Sequence, residues 1–217
     1  MRVCHSVSSM GRRTVMKKIA KNLGLLAISV WLGAWGTANA AEPAFMHTGG
    51  RTTQPVGHYE FCQRLPGECR QITPKGVPIE LTRKLWAKII EVNNGVNVQV
   101  KPKTDMENYG IEDYWTFPDN GFGDCEDYAL EKRRRLMSAG VPAGDLLLTV
   151  ARLPNGDGHA VLTVRTSLGE FILDNLESRV LSFTETDYTY LKRQSSENSG
   201  VWVTINEGGE APVASVR

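Results

Sequence analysis

His159-Ala160-Val161-Leu162-Thr163-Val164-Arg165-Thr166, then Ser167-Leu168-Gly169, then Glu170-Phe171-Ile172-Leu173-Asp174-Asn175-Leu176, reads as two β-strands joined by a tight turn. Residues 146–152 form a strand before them, and Pro154-Asn155-Gly156-Asp157-Gly158 is a turn cluster between. Residues 201–205 read as a fourth strand after a polar stretch. Upstream the period is helical. Pro78 opens a helix with Leu81, Leu85, Ile89 and Val92 on one face, and Asn93-Asn94-Gly95 ends it. A second helix covers residues 124–139, with Asp124 as N-cap and Gly140-Val141-Pro142 as its stop. Residues 101–123, with Tyr109, Tyr114 and Trp115, read as an ordered loop. There is no internal repeat. N-terminal helices packed on an antiparallel sheet make an α+β fold.

The two ends of the chain are of different composition. Arg12, Arg13, Lys17, Lys18 and Lys21 precede an apolar run over residues 23–35, and Ala38-Asn39-Ala40 is a small-x-small cleavage signal. Residues 1–40 therefore read as a secretory signal peptide, with a run too short to span a membrane. Residues 41–58, rich in Gly, Thr and Pro, read as a flexible lead-in. Residues 59–206 form one domain, and residues 207–217 a disordered tail. Of the 25 Lys and Arg, six fall in residues 1–40 and no Asp or Glu does, which leaves 19 basic against 24 acidic residues, a net charge of −5. A mildly acidic exported domain is not built for nucleic acid. The basic run over residues 132–135 is most simply a solvated helix face.

Cys4 departs with the signal. Cys62 and Cys69 flank Gln63-Arg64-Leu65-Pro66-Gly67-Glu68, and in an oxidising compartment they are predicted to form a local disulfide. Cys125 is then the odd cysteine in the count, set at a helix start where a thiolate is favoured. Its neighbours Asp124, Glu126 and Asp127 oppose a thiolate by like charge. They also argue against burial, because each buried carboxylate needs a partner.

A thiol nucleophile needs a base, and the base needs an orienting group. Three histidines remain after residues 1–40, and His47 and His58 lie in the lead-in, so His159 is the one placed to serve. With the turn centred on Ser167-Leu168, His159 lies opposite Leu176, and Asp174 is its diagonal neighbour on the same sheet face, about 7–8 Å away at Cα. Bland readings stand beside this one: His159 as an exposed turn residue, Asp174 as a strand end, the acidic run as a solvated helix start. Either an imidazolium or a bound cation would neutralise the carboxylates around Cys125, and hard oxygen ligands suit Ca²⁺.

Gly123-Asp124-Cys125-Glu126-Asp127-Tyr128-Ala129 with Lys132, then Gly140-Val141-Pro142, Gly158-His159-Ala160-Val161-Leu162 and Leu173-Asp174-Asn175-Leu176, resemble the bacterial transglutaminase-like cysteine peptidases. Asp113-Tyr114-Trp115 fits the same pattern. The resemblance implies a papain-like, transglutaminase-type core with Cys125 as nucleophile, His159 as base and Asp174 as orienting acid. It implies a calcium site in which Asp124 and Glu126 match by motif and Asp105 by its upstream position. It further implies a periplasmic protease acting on a large surface adhesin, with an inner-membrane receptor controlling access. Two other functions use the same residues: a transglutaminase or other acyltransferase, and a non-catalytic calcium-dependent binding module.

Overall fold

The structure is a computed structural model that describes residues 42–74 and 76–206. The expected signal peptide (residues 1–40) and tail (residues 207–217) lie outside the described residues. The expected flexible lead-in instead carries two elements: a strand, β1, over Thr48–Thr52, and the start of a helix, α1, over Val56–Arg64. β1 pairs antiparallel with a strand near residue 205, so its backbone groups find ladder partners far along the chain. Local composition carries no trace of such a partner.

A 3₁₀ turn over Pro66–Cys69 leads to helix α2, Arg83–Gln99, whose N-cap Thr82 accepts from Leu85 N. The helix expected to open at Pro78 thus begins later, because Ile79 bridges to Thr166 of the sheet. It also runs straight through Asn93-Asn94-Gly95. Asn93 is fully buried, and its amide donates to Ser178 O at 3.1 Å. A tertiary partner occupies the side chain that would otherwise compete with the helix backbone.

The expected loop over residues 101–123 is partly regular. Lys101–Pro102 (β2) pairs in parallel with Phe122–Gly123 (β3), and Asp105–Tyr109 (α3) stands between them behind a Thr104–Glu107 capping box. Helix α4, Cys125–Ser138, follows Asp124 at its N-cap and ends at Ala139 before Gly140, whose φ is 92°. Then come β4 (Leu146–Arg152), β5 (Gly158–Thr166), β6 (Gly169–Leu173), β7 (Leu181–Ser182), β8 (Thr189–Gln194) and β9 (Trp202–Ile205). Seven strands form one antiparallel sheet in the order β1-β9-β8-β4-β5-β6-β7. The β5–β6 register, Leu162 opposite Leu173 and Thr166 opposite Gly169, centres the turn on Ser167-Leu168.

The principal core joins Leu146, Leu148, Val150, Leu162 and Val164 of the sheet to Ile89 and Val96 of α2 and Leu130 and Leu136 of α4, with Phe61, Trp115 and Trp202. A second cluster holds Met46, Ala151, Val161, Ile172 and Tyr190. Because α4 packs against β4 and β5 and also against α2, the basic run is not a solvated face throughout. Lys132 and Arg133 are buried, whereas Arg134 and Arg135 are half-buried. Arg133 donates to Leu146 O at 3.1 Å and pairs with Glu68 at 3.4 Å.

Candidate active site

Cys125 is the first residue of α4 and only 2 % exposed. The expectation that its acidic neighbours would keep it near the surface fails. Those carboxylates turn inward as well, and backbone donors meet them. Cys125 Sγ lies 3.2 Å from the backbone nitrogen of Ala160 and 3.2 Å from Glu126 Oε2. The helix start directs its unsatisfied N–H groups to the same place.

His159 immediately precedes Ala160, so the same end of β5 carries both the imidazole and the N–H that meets the sulfur. His159 Nε2 lies 2.8 Å from Asp174 Oδ1, and both side chains are buried. Asp174 follows directly on β6, and the observed register makes it the diagonal neighbour of His159. Its Oδ1 also accepts from Leu176 N at 2.9 Å, and its Oδ2 accepts from the Tyr188 hydroxyl at 2.6 Å. Burial alone would push the Asp174 carboxyl up. The bonds from His159, Leu176 and Tyr188, with the His159 charge, outweigh burial and hold it below its ordinary value.

The acidic cluster differs by one residue from the expected set. Asp105 and Asp124 come together, and the third member is Asp127; the ligand oxygens of these three lie within 4.8 Å of one another. Glu126 points its Oε2 at Cys125 instead. Asp124 and Asp127 are three apart on one helix, hence on one face, a spacing that marks Asp127 in the sequence itself. Each member spends one oxygen on a backbone donor: Asp105 Oδ2 on Tyr114 N, Asp124 Oδ2 on Asp105 N (3.3 Å), Asp127 Oδ1 on Thr116 N (2.8 Å). The other oxygens, Asp105 Oδ1, Asp124 Oδ1 and Asp127 Oδ2, are buried with no hydrogen-bond partner among the described residues. Burial and the charge of Asp124 push Asp105 up to about 7. Burial, with the charge of Asp113, takes Asp124 to about 6 against hydrogen bonds from Glu126 and the backbone. Asp127 is raised as well, by burial and then by the charge of Asp124. Three buried, orphaned carboxylate oxygens facing one point fit a hard cation such as Ca²⁺.

Cys62 and Cys69 are joined by a disulfide. His58, expected in a mobile segment, is buried against it, with Trp115 and Trp202 edge-on at 5.4 and 5.1 Å. Its Nδ1 is 2.8 Å from Gln54 Oε1, and Gln194 Nε2 approaches its Nε2 at 3.3 Å. Burial, then the Arg133 charge, pushes its pKa down to about 3, so it is a neutral core imidazole. Trp115 is likewise fully buried. Tyr188 escapes a reading of the sequence altogether, since nothing near it announces Asp174, just past β6, as its partner.

A buried cysteine at a helix start, facing the end of an antiparallel sheet that carries a histidine and an aspartate, defines a transglutaminase-like cysteine peptidase. Residues 48–210 match the family model described as bacterial transglutaminase-like cysteine proteinase, BTLCP, and the chain belongs to that family. Among solved structures, LapG of Legionella pneumophila is similar at 32 % identity over 55 % of this chain and 68 % of its own, with a TM-score of 0.47. Its calcium-bound form matches at 30 % identity over 58 % and 74 %, also with a TM-score of 0.47. An EGTA-treated form matches at 30 % over 57 % and 72 %, again at 0.47. No curated protein matches the chain. Among the described residues, no helix is long and apolar enough to cross a membrane.

Proposed function

We propose that this peptidase is an exported, calcium-dependent endopeptidase in which Cys125, His159 and Asp174 act as a nucleophile, base and orienting acid. The observation that carries the reading is the buried His159–Asp174 bond of 2.8 Å at the strand end whose Ala160 N–H reaches Cys125 Sγ at 3.2 Å. Nε2 is committed to Asp174, which leaves Nδ1 to exchange a proton with the sulfur. The thiol proton passes to His159, and sulfur attacks the scissile carbonyl carbon. The helix-start N–H of Cys125 stabilises the oxyanion. The C–N bond then breaks as the imidazolium protonates the leaving amine. Water, deprotonated by His159, attacks the thioester; carboxylic acid leaves and the thiol is restored.

Asp105, Asp124 and Asp127 would hold the calcium. When bound, it supplies positive charge that offsets three carboxylates next to the nucleophile. Residues 1–40 are the export signal, so the working compartment is the periplasm. Family membership supports a protein substrate; the reading takes that substrate to be a large surface adhesin, with an inner-membrane receptor as the partner that controls access.

The test is an incubation of the protein, processed before Ala41, with candidate exported surface proteins in Ca²⁺ or in EGTA. Mass spectrometry then identifies new termini. Cleavage is expected in Ca²⁺ alone and should fall at least about 10³-fold in Cys125→Ser, with an unchanged circular-dichroism spectrum. A serine variant that still cleaves removes the nucleophile assignment. An added primary amine appearing in the product assigns transamidation in place of hydrolysis.

A further inference from the structure

Asp174 has a second oxygen, and what occupies it comes from outside the three elements that carry the cysteine, histidine and aspartate. Tyr188 stands just before β8, and its hydroxyl donates to Asp174 Oδ2 at 2.6 Å. Its ring meets the His159 imidazole edge to face, centroids 5.7 Å apart at 83°. One side chain therefore touches both halves of the His159–Asp174 pair. We propose that Tyr188 is a positioning residue for that pair: the hydroxyl fixes the carboxylate plane, and the ring fixes the imidazole and keeps water from the bond between them.

The arrangement around Asp174 supports a dedicated role. Oδ1 takes His159 Nε2 and Leu176 N, Oδ2 takes the phenol, and the backbone carbonyl accepts from Asn97 Nδ2 at 2.8 Å. The carboxylate is only 3 % exposed, so the phenol satisfies an oxygen that water reaches poorly. A cavity of about 230 Å³ is lined by Asp174 and Tyr188 together with Pro154, Ile172, Glu177 and Arg179. The phenol is a lasting donor: burial and the charge of Asp174 push its pKa up from the ordinary 10.0. The ring is itself held against Tyr190 at 6.3 Å. Aromatic edge-to-face packing and a charge-assisted hydrogen bond both restrict rotation, which a base that must shuttle one proton requires.

The inference rests on the triad proposed above, and the experiment separates the two. Steady-state hydrolysis of p-nitrophenyl acetate, a small acyl donor for a thiol nucleophile, is compared in wild type, Cys125→Ser, Tyr188→Phe and Tyr188→Leu, alongside proton NMR of the low-field imidazole N–H. Tyr188→Phe keeps the ring and should lower kcat about tenfold with KM held within about twofold, and should move the His159 N–H resonance. Tyr188→Leu, which loses ring and hydroxyl, should fall further. A wild-type kcat in Tyr188→Phe, or an unmoved resonance, overturns the role. If Cys125→Ser is inactive in that case, the triad stands and only the positioning role is lost. If Cys125→Ser retains activity, both fall. The resonance reports on the bond without turnover, so it decides the matter even where the acyl donor reacts slowly.

Discussion

A methyl group on Gly57 would stand 2.3 Å from Asp113 O and 2.4 Å from Trp115 Cδ1. Gly57 N also donates to Asp113 Oδ2 at 2.9 Å, so the first turn of α1 is pressed against the loop that carries Trp115. The next residue, His58, completes that contact between the two tryptophans and the disulfide. Gly57→Ala must displace a backbone carbonyl or a buried indole, and overpacking of this kind costs about 1–3 kcal/mol. Urea unfolding followed by tryptophan fluorescence should show a loss in that range. A neutral result would mean that residues before 58 do not pack as described. The disulfide is a separate contribution beside it: closing so short a loop is worth about 2 kcal/mol in the chain-entropy account. The double variant Cys62→Ala/Cys69→Ala should lose roughly that amount, read in the same assay without reductant.

At the scale of elements, α4 concentrates the conflicts. Its first nine residues are buried, and Glu126, Asp127, Glu131, Lys132 and Arg133 are among them. Lys132 Nζ has no hydrogen-bond partner among the described residues and sits 5.9 Å over the Tyr128 ring. Burial pulls its pKa down to about 7, with the charge of Asp174 opposing. A lysine depressed in the folded state binds its proton less tightly there than in the unfolded chain. The penalty is therefore complete below pH 7 and is relieved as pH rises from about 7 toward the ordinary 10.5. Lys132→Met should stabilise the protein by about 1–4 kcal/mol at pH 6, and the gain should shrink by pH 10. An equal gain at both pH values would show that Lys132 is not the titrating group. This element also shows what the sequence can and cannot disclose. The ends of α4 and the β5–β6 register were legible, because caps, glycines and a tight turn act within a few residues. The burial of Lys132 was not, since charge predicts exposure unless tertiary partners intervene. β8 was missed for the same reason: Lys192 and Arg193 break its apolar pattern, and Arg193 is buried on Glu170 at 2.8 Å. β1 and the Tyr188 contact depend on partners far along the chain, which no local pattern announces.

Across the whole molecule, the acidic cluster ties α3, the loop with Tyr114 and Thr116, and the start of α4 to one point beside Cys125. Without a cation the three segments are held by backbone bonds to carboxylates that repel one another, and burial raises the cost of each charge. A ligand that binds only the folded state stabilises it by mass action, about 2.7 kcal/mol at a hundredfold excess over Kd. In a chain of this size that is a Tm rise of roughly 5–10 °C. Millimolar Ca²⁺ against EGTA should produce it in a thermal scan, and the variants locate it. Asp127→Asn removes one of the mutually repelling charges while keeping the bond to Thr116 N. It should therefore melt higher than wild type in EGTA and respond little to Ca²⁺. Glu126→Gln, whose carboxyl faces the sulfur, should keep most of the calcium response. The opposite pattern would return Glu126 to the ligand set and remove Asp127 from it. The absence of any shift in wild type would mean that the orphaned oxygens answer to something other than calcium. Because Asp124 and Asp127 share one helix turn with Cys125, the Ca²⁺ concentration that gives half the Tm shift should also scale with the one that gives half the peptidase activity. Divergence of the two would separate the stabilising cation from the catalytic requirement.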